Sequence, residues 1–428
     1  MNNQNSDFLK TLGIYLFGQA KKLSLKFKKA PTMKELMIVY YSEAKSAKLT
    51  GKKVAWITSG GPVEPLIAMD IIPIYPENHG AMIGASKMGA GLCEKAEAMG
   101  YSSDLCSYAR SDISCATVNG GPIGGLPRPD MLVCCNNICG TVTKWYQELQ
   151  RRFDVPLVFI DAPYQYETED SSHAVAYMKE QLQDYIGIIA EVTGKPFDYD
   201  RFNEVVDLSE RAATLWRDIQ GMLAHRPAPM NSFDTFIHLA PIVTLRGTPI
   251  CVEYYEGLKA EVQERIDNGI AAIPGERFRL GWDNLAIWFR INQLSQKFAE
   301  RHAALVVSTY PESFCYRGPI DDPNDRLLSY ASTYIGGYIN HGLDYREKEL
   351  THMAEKFSLD GFVMHSNRSC RAYSFGQYEL AHRLEEKYGI PSLMIEADMN
   401  DTRTWSDEQV NTRIDAFIET LESRAGAA

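Results

Sequence analysis

The run Asp130-Met-Leu-Val-Cys134-Cys135-Asn136-Asn137-Ile138-Cys139-Gly140-Thr-Val-Thr-Lys144-Trp145-Tyr146 constrains this 428-residue chain more than any other stretch. A short apolar segment ends in two cysteines. An Asn-Asn turn follows, then a third cysteine and an amphipathic helix. This is the strand-turn-helix unit of an open parallel sheet, in which ligands lie beyond the carboxyl ends of strands and face the free N–H groups of helix starts. Cys139 falls at that place. The helix dipole favours a thiolate there, and equally an anionic metal cluster.

The same alternation recurs around it. Residues 53–58 read as a strand running into a Gly60-Gly61 turn, 63–69 as a helix, and 71–75 as a second strand. Residues 81–100 read as one helix with Gly100 as its C-cap. A helix over 142–153 leads to a strand over 156–161. From about residue 171 long helices take over, including 175–192 and 200–223. Strand-like runs return at 275–282, 303–308, 361–365 and 392–396, with a helix over 373–388 and a last one over 407–423. The expectation is an α/β protein with two Rossmann- or flavodoxin-like parallel-sheet domains. A helical N-terminal segment would occupy 1–48, the first α/β domain 49–170, a helical segment 171–273, and the second α/β domain 274–428.

Composition narrows the function. An apolar fraction of 45% and a charged fraction of 23% suit a globular protein with ample core. The net charge of −11 leaves no basic face for nucleic acid. No run reaches the ~18 apolar residues of a membrane span. Residues 8–17 lack the flanks of a signal peptide, and the lysine-rich tract 21–29 reads as a solvated helix rather than a membrane-surface one. Nine unevenly spaced cysteines point to a reducing cytoplasm, with thiols used as core residues or metal ligands. No P-loop, G-x-G-x-x-G, H-E-x-x-H or G-x-S-x-G motif is present, so no nucleotide is expected on this chain.

The second α/β region partly repeats the opening stretch. Asp360, Asn367, Cys370, Pro391 and Asp398 follow one another as Asp130, Asn137, Cys139, Pro156 and Asp161 do. If the two units face each other, Cys139 and Cys370 meet in one cleft. Three thiolates on a four-iron cluster would leave one iron open, as a catalytic zinc keeps an open position. Cys93, Cys106, Cys115, Cys134 and Cys135 compete for third ligand. Cys106, in a Ser/Asp-containing loop at a helix start, is the best placed. Cys134 and Cys135 point to opposite faces of a strand and read as inert core thiols, as do Cys251 and Cys315. Spacing alone also permits three separate core cysteines.

Three motifs taken together resemble the 2-hydroxyacyl-CoA dehydratase and benzoyl-CoA reductase family. They are Tyr101-Ser-x-Asp-Leu-Cys106-x-Tyr-Ala-Arg110, Pro129-Asp-x-Leu-x-Cys-Cys-Asn-Asn-Ile-Cys139 with Lys144-Trp145-Tyr146, and His365-x-Asn367-Arg368-Ser369-Cys370. The likeness covers about residues 54–422. It implies that Cys106, Cys139 and Cys370 hold a [4Fe–4S] cluster with one non-cysteine site. It also implies that Ser59 and Glu77 stand near a bound thioester. Without it they read as a turn serine and a surface carboxylate. Partial burial would let Glu77 donate a proton.

Residues 57–66 and 366–377 look closest to the B/O-type large subunit of ATP-dependent benzoyl-CoA reductase, the Gly60-Gly61 turn being the departure from the dehydratase pattern. The resemblance then implies single-electron reduction of an aromatic acyl-CoA, benzoyl-CoA first, to a cyclic dienoyl-CoA under anaerobic conditions. It implies a heterodimer with a related smaller cluster subunit, a separate ATP-hydrolysing electron activator, and ferredoxin upstream. The alternatives are a 2-hydroxyacyl-CoA dehydratase subunit and a non-catalytic electron-relay or binding subunit.

Overall fold

The computed structural model describes residues 32–118, 120–166, 171–316, 322 and 324–427. The expectations for tracts 8–17 and 21–29 lie outside them. Among the described residues eight strands form two four-stranded sheets. The first holds β1 (Val54–Ile57), β2 (Ile72–Ile74), β3 (Met131–Cys135) and β4 (Leu157–Ile160), in the order β2-β1-β3-β4. The second holds β5 (Phe278–Asp283), β6 (Ala303–Ser308), β7 (Gly361–Asn367) and β8 (Ser392–Ala397), in the order β6-β5-β7-β8. All pairings are parallel, as expected for strands separated by helices. The fold is α/β with two parallel sheets.

The two sheets share one connectivity, and the likeness reaches single atoms. The Asp130 carboxylate accepts from the Val54 amide at 2.8 Å, and the Asp130 amide donates to the Val54 carbonyl at 2.7 Å. Asp360 repeats both contacts with Arg279, at 2.7 Å each. An aspartate ahead of the third strand thus clamps the start of the first strand in each sheet. That explains why the sequence echo begins on an aspartate.

Long helices link the sheets, including Ser172–Thr193, Tyr199–Met222 and Pro249–Asp267. Two helices read as continuous are broken. The stretch 81–100 lies in Pro76–Ala85 and Gly89–Ala98. The break brings Gly89 so close to the Asn400 carbonyl that a Cβ there would overlap its oxygen. The stretch 373–388 lies in Arg371–Ser374 and Gln377–Tyr388, parted at Gly376, whose φ is 78°. Both breaks answer to tertiary contacts, which local periodicity does not record.

A buried ion pair locks the middle helices to both halves. Arg246 Nε lies 3.0 Å from Glu64 Oε1, with both side chains almost fully buried. Tyr330 and Tyr334 donate to the other carboxylate oxygen at 2.6 and 2.5 Å. Arg246 also donates to the Gly61 carbonyl at 3.3 Å, and its guanidinium lies 3.9 Å from the centre of the Tyr316 ring. Burial alone would raise the Glu64 pKa, but Arg246 and the two phenols outweigh it and the net shift is downward. Arg246→Ala strands a buried carboxylate, and should lower stability by about 3–5 kcal/mol in a urea titration.

Candidate functional site

The carboxyl edges of both sheets converge on one cavity of about 470 Å³. β1 runs into Thr58 and Ser59, and β2 into helix Pro76–Ala85 with Glu77 in its first turn. β3 runs into Asn136 to Cys139 ahead of helix Thr141–Phe153, and β7 into Cys370 ahead of Arg371–Ser374. Cys106 precedes helix Ser107–Val118. Ser59, Glu77, Cys106, Cys139 and Cys370 all line the cavity. Of the nine cysteines, these three are partly exposed and the other six are buried. Cys315, expected as plain core, is buried yet reaches the same wall.

Specific hydrogen bonds set the three cysteine loops against each other. The Ser107 amide, next to Cys106, donates to Ser369 Oγ at 3.0 Å, and that hydroxyl donates to Asp398 at 2.5 Å. Asn400 Nδ2 donates to Ser111 Oγ at 2.9 Å. Two loops 262 residues apart are thereby joined beside their thiols. Asn137 Nδ2 ties the Cys139 loop to the Gly60 carbonyl at 2.8 Å and the Tyr334 carbonyl at 2.9 Å. At Gly60 a Cβ would meet Ile138 Cγ2 at 2.5 Å, so the Gly60-Gly61 turn is what lets the Cys139 loop seat.

Burial pushes all three thiols above their ordinary range, Cys370 to about 12. Mutual repulsion adds to this, since Cys106 feels Cys370 and Cys139, and Cys370 feels Cys139. The amides of Ala109, of Thr141 and Val142, and of Tyr373 pull the other way. Three thiols facing one cavity among helix-start N–H groups are thus unfavourable as bare thiolates. A bound cation or cluster would relieve that repulsion. Among the described residues no three His, Cys, Asp or Glu side chains are grouped as ligands of a single metal ion.

Glu77 is not the surface carboxylate that its local sequence suggests. It is 9% exposed, its Oε1 accepts from the Ser59 amide at 3.2 Å, and its Oε2 has no partner. Burial raises its pKa to about 8, with Asp112 contributing. Asp112 is itself pushed up to about 7 by burial, while Trp145 Nε1 donates to it at 2.8 Å. Glu77 therefore carries a proton near neutral pH and can release it from Oε2.

The remaining wall carries no motif. Tyr310, Tyr316, Tyr334 and Tyr338 come from segment 309–345, and Tyr373 follows Cys370. The spacing Tyr330, Tyr334, Tyr338 has a helical period that points to one face, the one signal by which it could be found. A second cavity of about 1220 Å³ shares Ser59, Glu77 and Tyr310 with the first. Helix Met33–Thr50 and the glycine-rich loop 120–128 line it, and Lys45 donates to the Ile123 carbonyl. No helix among the described residues is long and apolar enough to cross a membrane.

A family model described as 2-hydroxyglutaryl-CoA dehydratase, D-component, matches residues 58–421. The lactoyl-CoA dehydratase alpha subunit of Anaerotignum propionicum is 33% identical, over 90% of this chain and 94% of that protein. The (R)-phenyllactyl-CoA dehydratase alpha subunit of Clostridium sporogenes is 33% identical, over 92% and 96%. A benzoyl-CoA reductase subunit of Thauera aromatica is 28% identical, over 92% and 95%. Ser369→Ala should leave the Ser107 amide and Asp398 without their shared hydroxyl and lower the urea midpoint by an equivalent of about 1–3 kcal/mol. Ser369→Thr should restore most of it.

Proposed function

The chain belongs to the 2-hydroxyglutaryl-CoA dehydratase D-component family, and from that premise we propose that it is the cluster-bearing subunit of an enzyme acting on a CoA thioester through one-electron chemistry. The observation that carries this reading is the meeting of Cys106, Cys139 and Cys370, with Ser59 and Glu77, on one cavity. Three protein thiolates suit a [4Fe–4S] cluster with one non-cysteine site. When bound, such a cluster supplies electrons and an open Lewis-acidic position near the thioester carbonyl. The chain's own residues do the rest. The Ser59 amide holds Glu77 by Oε1, leaving protonated Oε2 free to move a proton to or from the acyl group. The tyrosine wall excludes water from a reduced, reactive acyl group.

Between the two reactions, the relatives favour dehydration. The two dehydratase subunits stand at 33% identity, against 28% for the reductase subunit. In this reading a 2-hydroxyacyl-CoA loses its hydroxyl and a neighbouring hydrogen as water, giving an enoyl-CoA. The electron put in is returned, so the reaction is redox-neutral. The second reading is reduction of benzoyl-CoA by two electrons and two protons to a cyclic dienoyl-CoA, favoured by the Gly60-Gly61 turn and the ring-lined wall. Because the relatives are named as subunits, a partner subunit is expected. Both readings require an outside electron source, an ATP-hydrolysing activator fed by ferredoxin. The locale proposed is an anaerobic cytoplasm.

Ala in place of Cys106, Cys139 or Cys370 should abolish activity and lower iron content in protein purified without oxygen. Full iron in all three variants rejects the ligand set. Incubating the assembled enzyme with a 2-hydroxyacyl-CoA and with benzoyl-CoA separates the reactions by product. Glu77→Gln, which keeps the shape and removes the acid, should cut kcat by about 10²–10⁴ with iron content unchanged.

A further inference from the structure

The charges around the two cavities differ in a way that bears on which acyl groups can enter. The inner cavity is walled by rings, among them Tyr108, Trp145, Tyr310, Tyr316, Tyr334 and Tyr373. Among the described residues no lysine or arginine lines it. His341 does, but burial lowers its pKa, so its imidazole is neutral near pH 7. The acidic side chains on the wall, Glu77, Glu312 and Glu349, would offer no attraction to another carboxylate.

Among the described residues two buried guanidinium groups stand close behind this wall, Arg246 in an ion pair and Arg346 engaged through its terminal nitrogens. Arg246 is paired with Glu64 and stacked on Tyr316. Arg346 lies 5.5 Å from the centre of the Tyr338 ring and donates to the carbonyls of Ile339, Ala372 and Tyr373 at 3.3, 3.0 and 3.5 Å. The outer cavity has the opposite character. Among the described residues Lys34, Lys45, Lys48, Lys87 and Arg128 line it, against the carboxyl groups of Glu77 and Asp130. Ser59, Glu77 and Tyr310 are common to both linings, so the two cavities adjoin.

We infer that this site accepts thioesters with an uncharged acyl group and rejects those whose acyl chain ends in a carboxylate, while the outer lysines hold the anionic carrier. The inference rests on the acyl-CoA reading above and specifies its substrate class. A carboxylate brought into the inner cavity would lose its water and meet no lysine or arginine among the described residues, which strongly opposes binding. The anionic end of the same ligand meets lysines at a wide, solvent-facing opening, where long-range attraction aids capture.

The test is calorimetric titration of the complex, purified without oxygen, with glutaryl-CoA and with its terminal amide. The two ligands differ at the acyl end by one charge. The amide should bind at least about 100-fold more tightly, a factor below the usual penalty for a buried unpaired charge. Affinities within about threefold overturn the inference and leave the acyl-CoA reading standing. If neither these ligands nor benzoyl-CoA binds, that reading falls and the inference with it. In a Lys34→Ala/Lys87→Ala double variant both affinities should weaken by the same factor. Loss of the discrimination in that variant would place the charge filter in the outer cavity, and overturn the inference.

Discussion

The Ser369 hydroxyl, held between the Ser107 amide and the Asp398 carboxylate, is the contact on which the site's geometry depends. It is buried and fully used on both sides, so its direction is set by chemistry rather than by packing alone. It places the start of one helix, from the first half of the chain, against the turn that follows β7 in the second. Asn137 performs the matching task for the Cys139 loop by donating to carbonyls from both halves. Remove either group and the sheets could still form, but their carboxyl edges would no longer be held in register with each other.

Behind these contacts lies a single constraint, the electrostatics of burying charge. Glu64 and Arg246 are tolerable in the interior because each completes the other and two phenols complete the carboxylate. Glu77 has no such partner and keeps a proton instead. The first carboxyl group is ionised and the second neutral, and the difference comes from whether a guanidinium is within reach. Proximity of three thiols is likewise costly for them as anions, which marks that cavity as a place for compensating positive charge.

Much of this is legible in the sequence. The eight strands of the described residues can be read from short apolar runs bounded by turns, because most of them are buried on both faces and need no subtler pattern. The repeated Asp…Asn…Cys order foretells two sheets of like connectivity, since Asp130 and Asp360 make the same clamp. Cys106, Cys139 and Cys370 stand out by their places at helix starts, and the structure brings them to one wall. What the sequence hides depends on contacts distant along the chain. The break between Ala85 and Gly89 exists because Asn400 presses there. Glu77 reads as exposed because the Ser59 turn that covers it comes from another strand end. The tyrosines of segment 309–345 carry no motif, and only the approach of the two sheets makes them neighbours. The outer cavity is assembled from stretches scattered between residues 33 and 310 and has no local signature at all.

The positions of the three thiols along the chain have a consequence for how the protein is made. Cys106 and Cys139 leave the ribosome early, but their companion Cys370 follows more than two hundred residues later. Anything that must be gripped by all three can be captured only near the end of synthesis, after the second sheet has closed on the first. Were such a group bound, its insertion would be a late event, and a truncated or stalled chain would lack one of the three side chains that hold it.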